Sequence, residues 1–566
     1  MRFNADHTGR LQEDEGVKTG EGRATFGAKE QRELEDALAA MTAEELRSFL
    51  LDAVDRLDEE PRVELLDFLV VRAATGASGW KPASPPAGTV DKVKEFVAAA
   101  RRLGCAEPSE ADAYLRVGTR AFLAGDVETA HAILESLLLP MADAEIDLGQ
   151  HEMVDEVLTV DIHGCAAQYV MSVYVTTPLD RRAEAVHLAM KAVRGITSFW
   201  SPLEQLEQIA AVPLPDLDHF LPLWLRYLEE QPSSEGEWES DLDRWLREAA
   251  LRLEGVAGLE RIARKSKKPE TLRTWCDALA ELGDWPAALR ACDDAAEMLG
   301  ASHWRGDFLD GAALAARQLG RSDAVDRLEA AWLAAPSLVR LLRWLGADTQ
   351  QSDEMNRDTI VERARKAIKE CPAKSGSQLG LLYVLTGNAQ AAADILANAP
   401  GLGWSNEGHP GRVLFPEFAG LLVEGTTATL APKVYAELRK RWWDPACLLA
   451  EHENNQEVPQ KLTVPSILEL IVRAVPGEGI EPQGRLAMFK AMQTAAARRL
   501  EGVLENKHRR SYGHAAILIA CCLELSPVIG ERDSVANWID GLRRECSRFK
   551  AFQRELETAL GSITEA

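Results

Sequence analysis

The sequence predicts an all-α protein, an irregular α-solenoid of antiparallel, tetratricopeptide-like helical hairpins. Three observations carry this expectation. Ala and Leu recur in every segment while aromatics make up only 6% of the 566 residues, a balance that suits helix packing and not large twisted sheets. No segment sustains the period-two alternation of β-branched residues that marks strands. A single turn device also recurs, in which a helix closes on Leu, then Gly and a polar residue, and an Ala-rich helix follows at once. It stands at Leu123-Ala124-Gly125-Asp126, Leu282-Gly283-Asp284, Leu319-Gly320-Arg321 and Leu385-Thr386-Gly387-Asn388.

Gly supplies the left-handed conformation that ends a helix, and a following Asp, Ser or Asn caps the next one. Alanines follow each Gly by four or five positions, at Ala130, Ala287 with Ala288, Ala324, and Ala391 with Ala392, where two helices can approach closely. Gly283 and Gly320 are 37 residues apart, and Gly320 and Gly387 are 67 apart. Those intervals approximate one and two units of the roughly 34-residue hairpin repeat. Between 140 and 260 the period blurs, which is why the array is expected to be irregular.

From the N-terminus, residues 1–28 are polar and Gly-rich and read as a disordered tail. A small helical hairpin is expected over 29–75. Its first run, Lys29 to Ala40, is followed by a capping box, Thr42-Ala43-Glu44-Glu45, and Leu46, Leu50, Val54 and Leu57 then line one face. Pro61 is expected to begin the return helix carrying Leu65, Leu66, Leu69 and Val70. Residues 76–89, GASGWKPASPPAGT, have the composition of a linker. The main helical-repeat domain is expected over 90–398. The breaks at 231–237 and 372–376 interrupt it, and 475–484 interrupts the region beyond. The strongest break, APGLGWSNEGHPGR at 399–412, is expected to be a linker before a C-terminal helical domain at 413–566.

Composition narrows the function classes. A chain this long exceeds one core of ordinary size and calls for two to four structural units. Lys and Arg total 64 against 89 Asp and Glu, a formal charge of −25 that repels phosphate backbones and disfavours nucleic acid as a partner. The N-terminus carries no apolar secretory run, and the most apolar stretch, Ala515 to Leu523, is about half a membrane span and reads as a buried helix. No membrane association is expected. Nine cysteines without CxxC spacing suit reduced, buried thiols in a cytoplasm.

Catalytic motifs fail one by one. There is no GxxxxGK[ST], no GxGxxG after a strand and no GxSxG elbow. The best metal-like cluster is His151-Glu152, Asp155, Asp161, His163 and Cys165, with His151 and Asp155 four apart on an expected helix face. QHEMVDEV is not HExxH, and the bland reading is an acidic helix followed by a buried one. No cofactor or metal site is expected. Among basic runs, Arg439-Lys440-Arg441-Trp442-Trp443 joins cations to indoles and can hold an acidic partner, so Arg439, Arg441, Trp442 and Trp443 are the candidate interaction residues. The bland account there is a charged helix face with buried tryptophans. Arg264-Lys265-Ser266-Lys267-Lys268 reads as an exposed helix C-terminus, and Lys507-His508-Arg509-Arg510 as a third such run. Trp275, Trp285, Trp304, Trp332 and Trp344 fall near helix ends, where they are expected to wedge between hairpins.

Tyr512, Ala515, Ala516, Leu523, Gly530, Trp538, Leu542, Arg543, Arg548, Lys550 and Phe552, with Gly125-Asp126, Ala130 and the acidic stretch Asp143 to Gly149, form a pattern of packing residues. It resembles the helical-repeat regions of uncharacterised bacterial proteins that accompany SWIM-type zinc fingers. The finger's own Cys and His ligands are missing here, so the resemblance implies an α-solenoid scaffold and no zinc site or reaction. The expectation is therefore a non-enzymatic protein-interaction scaffold or adaptor whose partners are other proteins. Two alternatives stand beside it. One is a bacterial stress or defence regulator that sequesters a transcription factor or effector and is released by cleavage in the 399–412 linker. The other is a metal-dependent hydrolase using the His151 to Cys165 cluster.

Overall fold

The computed structural model describes residues 36–564 apart from 77, 152, 211–212, 233–235, 237, 348–356, 425–432, 442–461 and 476–479. The expected tail at 1–28 and the start of the helix expected from Lys29 lie outside the described residues. Among the described residues the backbone is helical, and the one extended pairing is an isolated bridge between Cys105 and Asp147. The chain divides into two compact units, 1–227 and 228–566.

The first unit opens with the hairpin of α1 (Ala43–Arg56) and α2 (Glu59–Thr75). The Thr42 capping box forms, with the Glu45 carboxylate accepting from the Thr42 backbone N–H at 2.8 Å and the Thr42 hydroxyl accepting from the Glu45 N–H at 3.3 Å. The return helix begins at Glu59, two residues before the Pro61 expected to start it, because proline is tolerated anywhere in a first turn whose N–H groups have no intrahelical partner. Arg62 clamps the turn by donating to the carbonyls of Val54 and Leu57 at 3.2 and 2.6 Å.

The hairpin does not hang free on its tether. Helix α2 packs on α4, and Arg116 of α4 pairs with Asp67 at 2.5 Å. Beyond the linker come α3 (Thr89–Leu103), α4 (Pro108–Ala124), α5 (Val127–Ala142), α6 (Ile162–Thr176), α7 (Leu179–Ala192), α8 (Pro202–Ala210) and α9 (Leu217–Glu230), the last of which runs on into the second unit. Gly125, with φ of 84°, ends α4, and Asp126 caps α5 by accepting from the Thr129 N–H at 3.3 Å. The linkage is the predicted turn device. Helix α6 is buried on nearly every side, from Ile162 to Tyr174, and packs on α4, α5, α7 and α8. Such a helix needs no polar face.

The second unit begins with α10 (Asp241–Glu254), α11 (Val256–Ser266), α12 (Pro269–Glu281), α13 (Trp285–Leu299), α14 (Arg305–Gln318), α15 (Ala324–Ala334) and α16 (Leu338–Leu345). Each packs on the next, the one-dimensional logic of a solenoid. Gly283 adopts φ of 71° and Asp284 caps α13 through the Ala287 N–H at 3.1 Å. Trp332 and Trp344 are fully buried and stack at 5.4 Å between hairpins, as expected of tryptophans near helix ends. Trp332 also donates its indole N–H to Gln378 at 2.8 Å.

After residue 357 the chain folds back on itself. Helices α17 (Arg357–Glu370), α18 (Gly376–Leu385), α19 (Ala389–Ala397), α20 (Pro410–Glu424), α21 (Lys433–Arg441), α22 (Ile467–Ala474), α23 (Pro482–Glu505), α24 (Tyr512–Ile529), α25 (Arg532–Glu545) and α26 (Lys550–Thr564) close around one core. Here α24 packs on its neighbours α23 and α25, while α17 packs on α22, α19 on α23, and α24 on α20 and α21, contacts far apart in sequence. The solenoid is irregular for this reason. Residues Arg509–Ile529 form one helix long and apolar enough to cross a membrane, and 67% of its apolar window is buried inside this bundle.

The expected boundary at 399–412 lies inside the second unit and is packed. Gly401 sits so close to α23 that a Cβ there would meet the Arg498 carbonyl at 2.2 Å. Trp404 and His409 are buried, and His409 donates from Nε2 to the Pro400 carbonyl at 2.9 Å while its Nδ1 accepts from the Gly411 N–H at 3.1 Å. Glu407 accepts from the Leu338 N–H at 2.7 Å. Glycines and prolines that read as linker composition instead permit close packing and a buried aromatic anchor.

Candidate functional site

Of the four candidate interaction residues, Arg439 and Arg441 lie on the last turn of α21, and Trp442 and Trp443 lie outside the described residues. The helix itself is anchored by buried Val434 and Leu438. Its N-terminus is capped by buried Glu524, which accepts from the N–H groups of Val434 and Tyr435 at 3.0 and 2.9 Å. A carboxylate at that place also complements the helix dipole.

The metal-like cluster is dispersed. Val154–Glu156 forms a 3-10 turn, so His151 and Asp155 share no helix face, and Glu152 of the cluster lies outside the described residues. Glu156 spends a carboxylate oxygen on the His151 N–H at 2.8 Å, and Asp161 caps α6 through the Gly164 N–H at 2.8 Å. His163 and Asp155 approach to 3.6 Å, both half exposed. Burial pushes the Cys165 thiol up to about 12. Among the described residues no group of three His, Cys, Asp and Glu side chains is placed to hold a metal ion.

In the basic run at 264–268, Arg264 and Lys268 are engaged within the fold, while 507–510 is exposed. Arg264 pairs with Asp294 at 2.5 Å and with Glu260 at 2.9 Å, and lies over the Trp275 ring. Lys268, expected on an exposed helix end, is buried and donates to Asp243 at 2.7 Å. Burial raises the Asp243 carboxyl, but hydrogen bonds from Lys268 and Ser240 outweigh it and hold the group below its ordinary value. Asp310 is also buried and faces Arg340 at 2.8 Å and Arg343 at 3.2 Å. Burial lifts its carboxyl above the usual range despite both cations. These are structural ion pairs between neighbouring hairpins.

What stands open is the apolar side of the first hairpin. No residue of α1 is buried. Phe49 is 55% exposed, Leu51 60% and Phe68 59%, with Leu66 and Val71 also exposed. Leu46 and Leu65 are half-buried. Phe49 and Phe68 each come three positions after one of them, and in an antiparallel pair that offset turns both rings to the same side of the hairpin. Asp52 and Glu64 occupy the next turn on that side, and Glu45 the turn beyond Phe49. Of the face read from the sequence, Leu46, Val54 and Leu57 are half-buried and Leu50 is exposed. The second apolar position on each helix, one step off that face, was the available signal of an outward face.

No family model matches the chain. No curated protein matches it either. Among solved structures, a "circular tandem repeat protein with novel repeat topology and enhanced subunit contact surfaces" is 13% identical. The match covers 89% of this chain and 99% of that one, with a TM-score of 0.13. At that score the superposition adds nothing to the fold read from the helices themselves.

Proposed function

We propose that this protein is a non-enzymatic scaffold or adaptor that binds another protein through the exposed side of its N-terminal hairpin. The observation that carries the reading is the pair of phenylalanines, each more than half exposed, on a hairpin docked to the body along α2. Two helices alone bury too little apolar surface to be stable in water, and burying both rings against a partner contributes about 2 kcal/mol each. The rest of the chain supports the same reading. Successive hairpins stack on one another in the second unit, and the buried Asp243, Asp310 and Glu524 carboxylates there are paired with cations and backbone N–H groups.

The cleavage-controlled regulator is weakened, since Trp404 and His409 anchor 399–412 and exposure within it is confined to Pro400, Gly403 and residues 405–407. A place in the cytoplasm is supported by free cysteines, six of them buried among the described residues. The resemblance to SWIM-associated repeat regions supports the repeat architecture and suggests bacterial origin.

The test is affinity purification from the native host with the intact chain and with a Phe49→Ser/Phe68→Ser variant. Proteins retained by the first and lost from the second support the proposal. Equal retention by both, or no specific protein with the intact chain, would overturn it.

A further inference from the structure

We infer that the partner segment is a short amphipathic helix whose polar face is basic. This inference rests on the binding role proposed for the hairpin and specifies its ligand. The hairpin from Ala43 to Thr75 carries nine carboxylates against four arginines. Of these, Arg62 is committed to the carbonyls of the turn and Asp67 to Arg116, which leaves eight carboxylates against three arginines. Beside the two rings stand Asp52 and Glu64 on one side and Glu45 on the other. Glu45 is held ionised by its hydrogen bonds to the Thr42 backbone and hydroxyl. An apolar spot flanked along the hairpin axis by carboxylates fits a helix that seats two or three apolar residues at i, i+3 and i+4 between the phenylalanines. Lys or Arg one turn to either side would then meet the acids.

Charge selects this occupant over two others. A second copy would set an equally acidic hairpin against the first, and like charges across an interface oppose association. The chain's own residues 1–35 hold eight carboxylates and six Lys or Arg, a net acidic composition that the acidic hairpin does not attract. The field of the whole chain, at −25, steers a basic segment in the same direction.

The experiment titrates the full chain into two fluorescein-labelled peptides of about 18 residues. Both carry Leu at i, i+3, i+4 and i+7; one has Lys on the polar face, the other Glu. The lysine peptide should bind and the glutamate peptide should bind at least about tenfold more weakly, with the difference shrinking as salt is raised. Phe49→Ser/Phe68→Ser should weaken the lysine peptide about tenfold or more, the worth of one buried ring. The surface variant Asp52→Lys/Glu64→Lys, whose helical signal and Tm serve as its folding control, should weaken the lysine peptide and strengthen the glutamate one.

Equal binding of the two peptides, or no effect of the charge reversal, overturns the inference. If the charge reversal does nothing while the phenylalanine variant still loses the native partner, the basic-helix assignment fails and the scaffold reading stands. Two further outcomes also overturn the inference. One is a doubling of mass with concentration in light scattering that the phenylalanine variant abolishes, which assigns the face to a second copy. The other is lysine-peptide binding that appears only after removal of residues 1–35, which assigns it to the chain's own N-terminus.

Discussion

Asp243 and Lys268 form a nearly buried ion pair between α10 and the start of α12, and breaking it exposes the cost of each partner alone. Asp243→Ala should destabilise the second unit by about 3 kcal/mol, because Lys268 is then left charged and buried. The sign of the pH dependence follows from the depressed carboxyl. A folded-state value below the ordinary carboxylate one of about 4 contributes stability that is present above that value and lost as pH falls through the folded one. The Tm difference between the intact chain and Asp243→Asn should therefore be largest near pH 7 and narrow toward pH 2. A difference that grows on acidification would show that the pair is not what holds α10 to α12. Gly401 gives a second residue-scale test. Gly401→Ala drives a Cβ into the Arg498 carbonyl and should cost about 3 kcal/mol, seen as a lowered urea midpoint, where a true linker glycine would tolerate alanine.

At the scale of elements, the local signals were legible wherever backbone chemistry decides the outcome alone. Gly125, Gly283 and Gly387 take left-handed φ, and Asp126, Asp284 and Asn388 cap the helices that follow. The Thr42 box forms for the same reason. Segments whose conformation depends on distant partners were not legible. The loop at 399–412 has linker composition, but Trp404 and His409 are pulled into a core supplied by α20, α23 and α24, which no local pattern reveals. Asp112 is another such case. Its buried carboxylate accepts from Thr159 and Val160 about a turn before α6, a contact across 47 and 48 positions. Limited proteolysis distinguishes the two linker-like segments. Cleavage should begin within 76–89, where the backbone is exposed around Trp80, and spare 399–412. First cuts at 399–412 would mean that its anchors are weaker than their burial implies.

The whole molecule joins a solenoid stretch to a closed helical bundle within its second unit, and that combination explains how far sequence reasoning reaches. Hairpin spacing marked the turns at Gly283, Gly320 and Gly387, and from Asp241 to Leu345 successive helices pack on one another. The bundle after 357 escaped the same reasoning because α19, α20 and α24 find their partners far along the chain. Of the proposed binding surface, the sequence showed the half-buried positions Leu46 and Leu65. The outward face appears only once the hairpin is paired and docked, leaving Phe49 and Phe68 uncovered. The central claim, that this hairpin is where a partner protein is held, is tested most directly by hydrogen exchange on the full chain alone and with its co-purified partner. The account predicts that partner-dependent protection concentrates in peptides covering 43–75. Protection confined to the solenoid or the C-terminal bundle, with 43–75 unchanged, would contradict it.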